Sequence, residues 1–577
     1  MDLLSNAFRL LNLRKVVKEL HSGKPSTGTS ACMSCKFGFA MAQHLIQFGK
    51  DKEELGSIAN YLCTTLDLAS GRVCDGMVDQ LKDELVQIIS RINFSPNEIC
   101  GSLLGESCAK VYNPLYNWTL PLTPIAKPVL KSSAQRSQPK SSSPKLRVLH
   151  LSDTHVDPLY VEGGDAVCGE PLCCRNASSS SSSAINMQNR AGFWGDYRDC
   201  DIPLRTLEQT LKFIESTHQD IDYIIWTGDI PPHDVWNQSR DGQLSIIKLV
   251  AKTVHKYLGN IPIYPALGNH ESAPINSFPT PNIQGVHSIS WLYSALEDIW
   301  SQWLPSHTLP LIKNGAYYAV MVKPGLKLIS LNMNYCNNQN WWLLLNATDP
   351  AGQLQWLIRE LQASELIGEK VHIIGHIPPG SDDCLQIWSR NMNRIVNRFE
   401  DTITGQFYGH THQDEVEIFY ETTRDAKNKN GVHIRPTNMA YIGPSVTTFG
   451  NVNPGYRIYT IDGDYDESTY EVLDYETYYL NLTEANINRD SKPLEYRLSY
   501  TAQQALGLQD LTPDSWHKLL LKMKNDTQLF NKFYEYFYNK SDNIGDNVCT
   551  SRQCRREILC RLMKAIAHDN YICNKFL

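Results

Sequence analysis

Between residues 146 and about 465 the sequence returns six times to one pattern: a short apolar, strand-like run that ends in polar residues. The runs are LRVLHLSD (146–153), YIIWTGD (223–229), IPIYPALGNHE (261–271), LKLISLNMNY (326–335), VHIIGHIPPG (371–380) and QFYGHTH (406–412). Helical segments separate them. Strand alternating with helix specifies an α/β domain. In open α/β sheets the chemistry sits beyond the carboxyl ends of the strands. Polar clusters at five of these ends are therefore expected to meet at one edge of a sheet structure.

The five are Asp153-Thr-His155, Gly228-Asp229, Gly268-Asn269-His270-Glu271, Gly375-His376 and Gly409-His410-Thr-His412. A single D-x-H or GD is common; five in this order at strand ends are not. Alternate residues of a fraying strand end, such as Asp153 and His155, can reach one ion. Imidazole together with carboxylate suits Zn, or Mn and Fe, better than Ca or Mg. Asp229 can bridge two ions through its two oxygens, and glycine before a ligand permits close approach. Two ions about 3.5–4 Å apart activate water and clamp the attacking and leaving oxygens of a phosphoryl displacement. The chemistry expected is phosphoester hydrolysis.

A chain of 577 residues, 42% hydrophobic, exceeds one core, so two to four domains are expected. A net charge of -7 argues against a nucleic-acid partner. Protonation of the 17 histidines would make the chain cationic in acid and suited to anionic membrane surfaces. Sixteen cysteines, an even number, point to an oxidising compartment. Eight N-x-S/T sites agree with that: Asn93, Asn117, Asn176, Asn237, Asn346, Asn481, Asn525 and Asn539. The first twenty residues contain no apolar signal core, so the expectation is that a signal peptide precedes this sequence. No 18-residue apolar stretch is present.

Residues 28–112 carry six cysteines, at 32, 35, 63, 74, 100 and 108. Between them KFGFAMAQHLIQF and GMVDQLKDELVQIISRI repeat apolar residues at three- and four-residue steps, a helical period. A zinc site at Cys32-x-x-Cys35 lacks a second C-x-x-C and a nearby histidine. The spacing resembles a saposin B-type domain, a small all-α fold that holds lipid on an apolar face. The resemblance implies Cys32–Cys108, Cys35–Cys100 and Cys63–Cys74. Residues 113–145 read as a Pro/Ser-rich linker whose first half, with Trp118, is expected to pack on a neighbour. Six serines at 178–183 read as an exposed loop. The catalytic domain is placed at 146–465, and 466–577 reads as a helical region with four further cysteines.

At the five strand ends the sequence resembles the calcineurin-like metallophosphoesterases. That implies an α/β domain built as a two-sheet β-sandwich flanked by helices, with two Zn2+ per chain. Asp153, His155, Asp229 and His412 would hold the first ion; Asp229, Asn269, His376 and His410 would hold the second, Asp229 bridging. Purple acid phosphatases carry a tyrosine where this chain has Pro232, and GDIPPHDVW lacks the arginine motif of protein phosphatases.

The stretches SDTHVDPLY, TGDIPPHDVW, GNHES, HIPPG and YGHTHQDE are similar to those of the acid sphingomyelinases and their phosphodiesterase relatives. The resemblance runs from about residue 30 to the end. It implies cleavage of sphingomyelin to ceramide and phosphocholine in acid, with the saposin-like domain presenting the lipid. It also implies a lysosomal or secreted monomer in peripheral contact with anionic lipid surfaces. The remaining cysteines would pair as Cys168–Cys173, Cys174–Cys200, Cys336–Cys384, Cys549–Cys554 and Cys560–Cys573. His270, next to a ligand, is the leading candidate to protonate ceramide's oxygen, because a histidine near its usual pKa of about 6.5 is a good donor in acid. His233 is the second candidate. Glu271 is expected to orient His270, and Asp157 to cap a turn. Tyr441, Trp341 and Trp342 are candidates to meet the quaternary ammonium. Two other readings stay open: a phosphodiesterase acting on nucleotides or other soluble phosphoesters, and a secreted lipid-binding protein with an inactive metal site.

Overall fold

The computed structural model describes residues 28–65, 67–105, 107–122, 143–175, 187–424, 432–489, 494–545 and 547–577. Within them twelve strands form two six-stranded sheets. The first has the order β12-β11-β10-β1-β2-β3. Its strands are β1 (Lys145–Leu151), β2 (Tyr223–Trp226), β3 (Ile263–Pro265), β10 (Gly455–Asp462), β11 (Val472–Tyr479) and β12 (Arg497–Thr501). The second has the order β4-β5-β6-β7-β9-β8. It contains β4 (Tyr318–Lys323), β5 (Leu326–Ser330), β6 (Lys370–Ile374), β7 (Ile403–Tyr408), β8 (Glu415–Arg424) and β9 (Val432–Ile442).

Strands β1, β2 and β3 are parallel, as are β5, β6, β7 and β9; the flanking strands run antiparallel. Parallel strands are covered on both faces, which is why YIIW of β2 is buried throughout. Helix Leu204–Thr217 contributes Leu207, Leu211 and Ile214 to the cover, and helix Arg240–Leu258 contributes Ile247, Val250, Val254 and Leu258. Steps of three and four put each set on one face. The sheets meet through a shared core holding Val148, Ile224, Ile374 and Phe407. Across it Tyr223 Oη lies 3.2 Å from His372 Nδ1, and Tyr318 Oη donates to the Pro265 carbonyl at 2.8 Å. This packing brings the C-terminal ends of β1, β2, β3, β6 and β7 together.

The region from 466 onward, expected to be helical, opens with β11 and β12, so the first sheet runs across the 465/466 boundary. The reason is compositional. Tyrosines fall on both faces of VLDYETYY and mask the two-residue alternation that marks a strand. Helices Pro513–Asn525, Thr527–Phe537, Arg552–Leu562 and Tyr571–Phe576 follow.

The N-terminal domain has four helices: α1 (Gly28–Gln47), α2 (Lys52–Thr65), α3 (Gly71–Arg91) and α4 (Pro96–Leu104). Cys32–Cys108 and Cys35–Cys100 tie α1 to the α4 end, and Cys63–Cys74 ties α2 to α3. Ser95 and Glu98 form a capping box at the start of α4. The other bonds are Cys168–Cys173, Cys174–Cys200, Cys336–Cys384, Cys549–Cys554 and Cys560–Cys573, the pairing that the resemblance implies. Residues 113–122 lie against the second sheet's helices. Tyr116 Oη donates to the Leu343 carbonyl at 3.0 Å, and Asn391 accepts from Leu120 N at 2.9 Å and donates to the Trp118 carbonyl.

Helix α3 docks on the catalytic domain. Val73 packs with Leu172 and Trp236, and Gln80 donates to the Gln238 carbonyl. Deeper in the contact Glu84 accepts from Ser277 Oγ, which in turn accepts from Trp342 Nε1 at 3.1 Å. Burial pushes the Glu84 carboxyl up to about 7 from an ordinary 4.5. When α3 is undocked and wet, the carboxyl ionises near the lower value. Docking is then strongest below about pH 4.5, weakens as pH rises towards about 7, and is level above that, a span worth about 3 kcal/mol. Intramolecular energy transfer between labels on the two domains should report this loss, and E84Q should flatten it. A pH-independent signal in the parent would refute it.

The first 27 residues, Asn176, the serines 178–183 and linker residues 123–142 lie outside the described residues. Asn93, Asn117, Asn237, Asn346 and Asn525 are exposed; Asn481 is half-buried and caps a helix. Asn539 is a correction to the glycosylation candidates: it is 1% exposed and its amide donates to the Asn453 carbonyl.

Candidate metal centre

Five strands deliver the ligand-type residues. Asp153, His155, Asp229, His410 and His412 all have positive φ, from 33° to 74°. Left-handed backbone is costly for such residues and marks a site whose surroundings over-determine the geometry. The close glycines act here too. A methyl on Gly409 would fall within 2.6 Å of Asp153 Oδ2, and one on Gly268 within 2.7 Å of Glu271 Oε2. Gly409→Ala should cost about 1–3 kcal/mol through forced displacement of Ser152, whose hydroxyl the methyl would meet first, and of Asp153, readable as a lower Tm together with weaker metal retention. An unchanged Tm and unchanged retention would show that the site absorbs a methyl.

Two donor groups result. In the first, His155 Nε2 lies 3.5 Å from Asp229 Oδ2 and 3.3 Å from His412 Nε2, and His412 Nε2 lies 3.6 Å from Asp153 Oδ1. In the second, His376 Nε2 lies 2.9 Å from Asp229 Oδ2 and 3.0 Å from Asn269 Oδ1, while His410 Nδ1 is 3.1 Å from the same Asn269 oxygen. Asp229 is common to both, and all its neighbours at the site are buried or nearly so.

The outer hydrogen bonds fix the tautomers. His155 Nδ1 donates to the Pro231 carbonyl at 2.7 Å, His376 Nδ1 to Thr227 at 2.7 Å and His412 Nδ1 to Phe449 at 2.8 Å. Each therefore turns Nε2 inward, where it can meet a proton or a metal ion. Asn269 Nδ2 donates to Asn276 Oδ1 at 2.9 Å, which leaves its oxygen inward as well. Ser152 Oγ donates to Asp153 Oδ2, and His410 N donates to both Asp153 oxygens.

The inner surface is thus lone pairs facing lone pairs, as between His155 Nε2 and His412 Nε2. Such a set needs cations. The electrostatics agree. Burial opposes charge on His376, yet Asp229, aided by Asp153 and Glu271, outweighs it and lifts that ring to about 9. The donor set fits divalent metal.

His270 and His233 sit beside the first group. The His270 ring is edge-on to His155 at 4.7 Å and to His233 at 4.5 Å. Its Nδ1 is buried and has no hydrogen-bond partner among the described residues. His233 donates from Nδ1 to Asp201 at 2.9 Å and stacks on Phe449 at 3.9 Å, so its Nε2 is the free nitrogen. Burial pushes both rings down to about 3, so neither stands near its ordinary pKa in the free site, contrary to the sequence-based expectation for His270.

Glu271 also differs from expectation. Its Oε1 accepts from Ile230 N at 3.0 Å, and no hydrogen bond joins it to the His270 ring. Burial, then the adjacent Asp229 charge, raises it well above the carboxylate range. Asp157 caps Leu159 N at 2.9 Å and pairs with Arg175. Tyr441 is buried with its hydroxyl on the Leu511 carbonyl, and Trp342 lies under α3, so neither offers a face to a ligand; Trp341 is half-buried. Asp201, Asn276 and Asp383, which hold His233, Asn269 and His410, carried no sequence signal beyond being polar.

Residues 146–414 match the family Calcineurin-like phosphoesterase, and residues 435–574 match Acid sphingomyelin phosphodiesterase C-terminal region. The chain is 44% identical to the sphingomyelin phosphodiesterase of Homo sapiens over 554 residues, 95% of this chain and 84% of that protein. It is 37% identical to sphingomyelin phosphodiesterase B of Dictyostelium discoideum over 555 residues, 96% and 83% of the two chains. A cyclic GMP-AMP phosphodiesterase of Bos taurus is 33% identical over 72% of this chain and 87% of its own length. With that extent of identity on both sides of a strand-end centre of this form, the chain belongs to the acid sphingomyelinase family of calcineurin-like phosphoesterases.

Proposed function

We propose that this chain is a phosphoric diester hydrolase that cleaves sphingomyelin to ceramide and phosphocholine in acid. The observation that carries the chemistry is the inward convergence of six donors around a shared Asp229. Asp153, His155, Asp229 and His412 would hold one ion, and Asp229, Asn269, His376 and His410 the other, with Zn2+ the best match to a mixed imidazole and oxygen set. When bound, such ions neutralise phosphate charge and make water nucleophilic near neutral pH.

The chain's own groups do the rest. Asn269 supplies a neutral oxygen that its bond to Asn276 keeps inward. The phosphate diester would lie against the ring edges of His270 and His233. An anion within about 4–6 Å favours the imidazolium and opposes the effect of burial. His270, whose Nδ1 is otherwise unpartnered, would give its proton to the ceramide oxygen as that bond breaks. His233, held by Asp201, would donate Nε2–H to a phosphate oxygen.

The docked helical domain supports a membrane-borne substrate: exposed Met33, Phe48 and Tyr61 give it apolar surface beside a soluble catalytic domain. Peripheral contact with anionic lipid, a lysosomal or secreted location and a monomeric state belong to the same proposal; the eight disulfides suit that compartment. The test is turnover of sphingomyelin vesicles at about pH 5 with and without chelator and anionic lipid. Cleavage of nucleoside polyphosphates with intact vesicles would reverse the substrate assignment. Lipid transfer without any turnover would leave a lipid carrier.

A further inference from the structure

Among the four imidazoles assigned above to the ions, three are fixed by backbone carbonyls. His410 is the exception. Its Nε2 lies 2.9 Å from Asp383 Oδ2, and its Nδ1 faces Asn269 Oδ1 at 3.1 Å. Either nitrogen could carry the proton. With the proton on Nδ1, the ring donates to Asn269 and offers the ion no lone pair. With the proton on Nε2, it donates to Asp383 and Nδ1 is free to ligate. A carboxylate acceptor makes the stronger, charge-assisted bond, so it selects the second tautomer.

Asp383 is itself braced. Ser381 Oγ donates to Asp383 Oδ2 at 3.2 Å, and Asn338 N donates to the Asp383 carbonyl at 2.7 Å. The neighbouring Cys384 is bonded to Cys336. Asn338 also reaches the helical domain, donating from Nδ2 to the Leu103 carbonyl at 3.0 Å.

We infer that Asp383 is a positioning residue that sets the His410 tautomer and thereby the affinity of the second metal position. The inference rests on the two-ion reading above. Removal of a partner of this kind costs about 10–100-fold in metal affinity.

The experiment is a Zn2+ titration of the full chain against a competing chelator, with Tm recorded in parallel. The parent should retain two ions. Asp383→Ala should retain one firmly and lose the other at chelator concentrations 10–100-fold lower than the parent does, with Tm before metal addition unchanged. Asp383→Asn keeps an acceptor for Nε2–H without the charge, preserves the loop and should fall between the two. If Asp383→Ala lowers Tm, Asp383→Asn decides the matter. Two ions held with parent affinity in the folded variant would overturn the role of Asp383 alone. A parent that holds fewer than two ions would overturn the two-ion reading and this inference together.

Discussion

Asp229→Asn should leave the fold in place and lower turnover of sphingomyelin by roughly a thousandfold or more. The substitution is isosteric. Its oxygen can still accept from His270 N, a bond of 2.9 Å in the parent. What changes is the atom beside His376 Nε2, now an amide donor where a carboxylate oxygen stood at 2.9 Å. Asp229 contributes to both donor groups, so one change removes the bridging charge and presents two N–H groups to cations. Metal ions supply several kcal/mol of charge stabilisation in phosphoryl displacement, and each 1.36 kcal/mol is tenfold in rate. Metal content and kcat should fall together, while the far-UV circular dichroism of the chain stays that of the parent. Full activity with one ion retained would show that the bridge is dispensable.

His270→Ala should lower kcat by roughly a hundred- to ten-thousandfold, the range for a positioned general acid, with KM and metal content near the parent values. The distinguishing measurement uses a nitrophenyl ester of phosphocholine. Its leaving group departs without a proton, so the variant should lose far less on that substrate than on sphingomyelin. Equal losses on both would move His270 from proton donor to phosphate binding. His233→Ala is the useful contrast: a residue that holds a phosphate oxygen should cost similar factors on both substrates.

The cluster of metal-ligand-type residues was legible because each of them falls at the end of an apolar run, where a polar residue has no packing role. His155, His376 and His412 needed only that position to be found. The outer partners were not legible. Asp201 lies 32 residues before His233, and Asp383 lies 27 before His410, and only the fold brings each pair together. Burial was equally hidden. His270 was expected near its usual pKa, yet it and Glu271 are enclosed, and burial pushes the ring down and the carboxyl up. Strand β11 was missed for a related reason: tyrosines on both of its faces erase the alternation that marks a strand. Asn539 matches a glycosylation motif, but no local signal reveals that its amide is consumed inside the protein.

Every disulfide of the helical domain closes within that domain; none crosses to the catalytic unit. The link between them is the stretch from Cys108 to Tyr116, whose hydroxyl is held by Leu343. Eight residue steps span at most about 27 Å when fully stretched. A helical domain released from Trp236 and Ser277 therefore stays on a short leash. Any swing away from the strand ends would stay within that span, and re-docking would proceed at the high effective concentration of a brief tether. A lipid carried on that domain would be delivered within one such radius of His233 and His270.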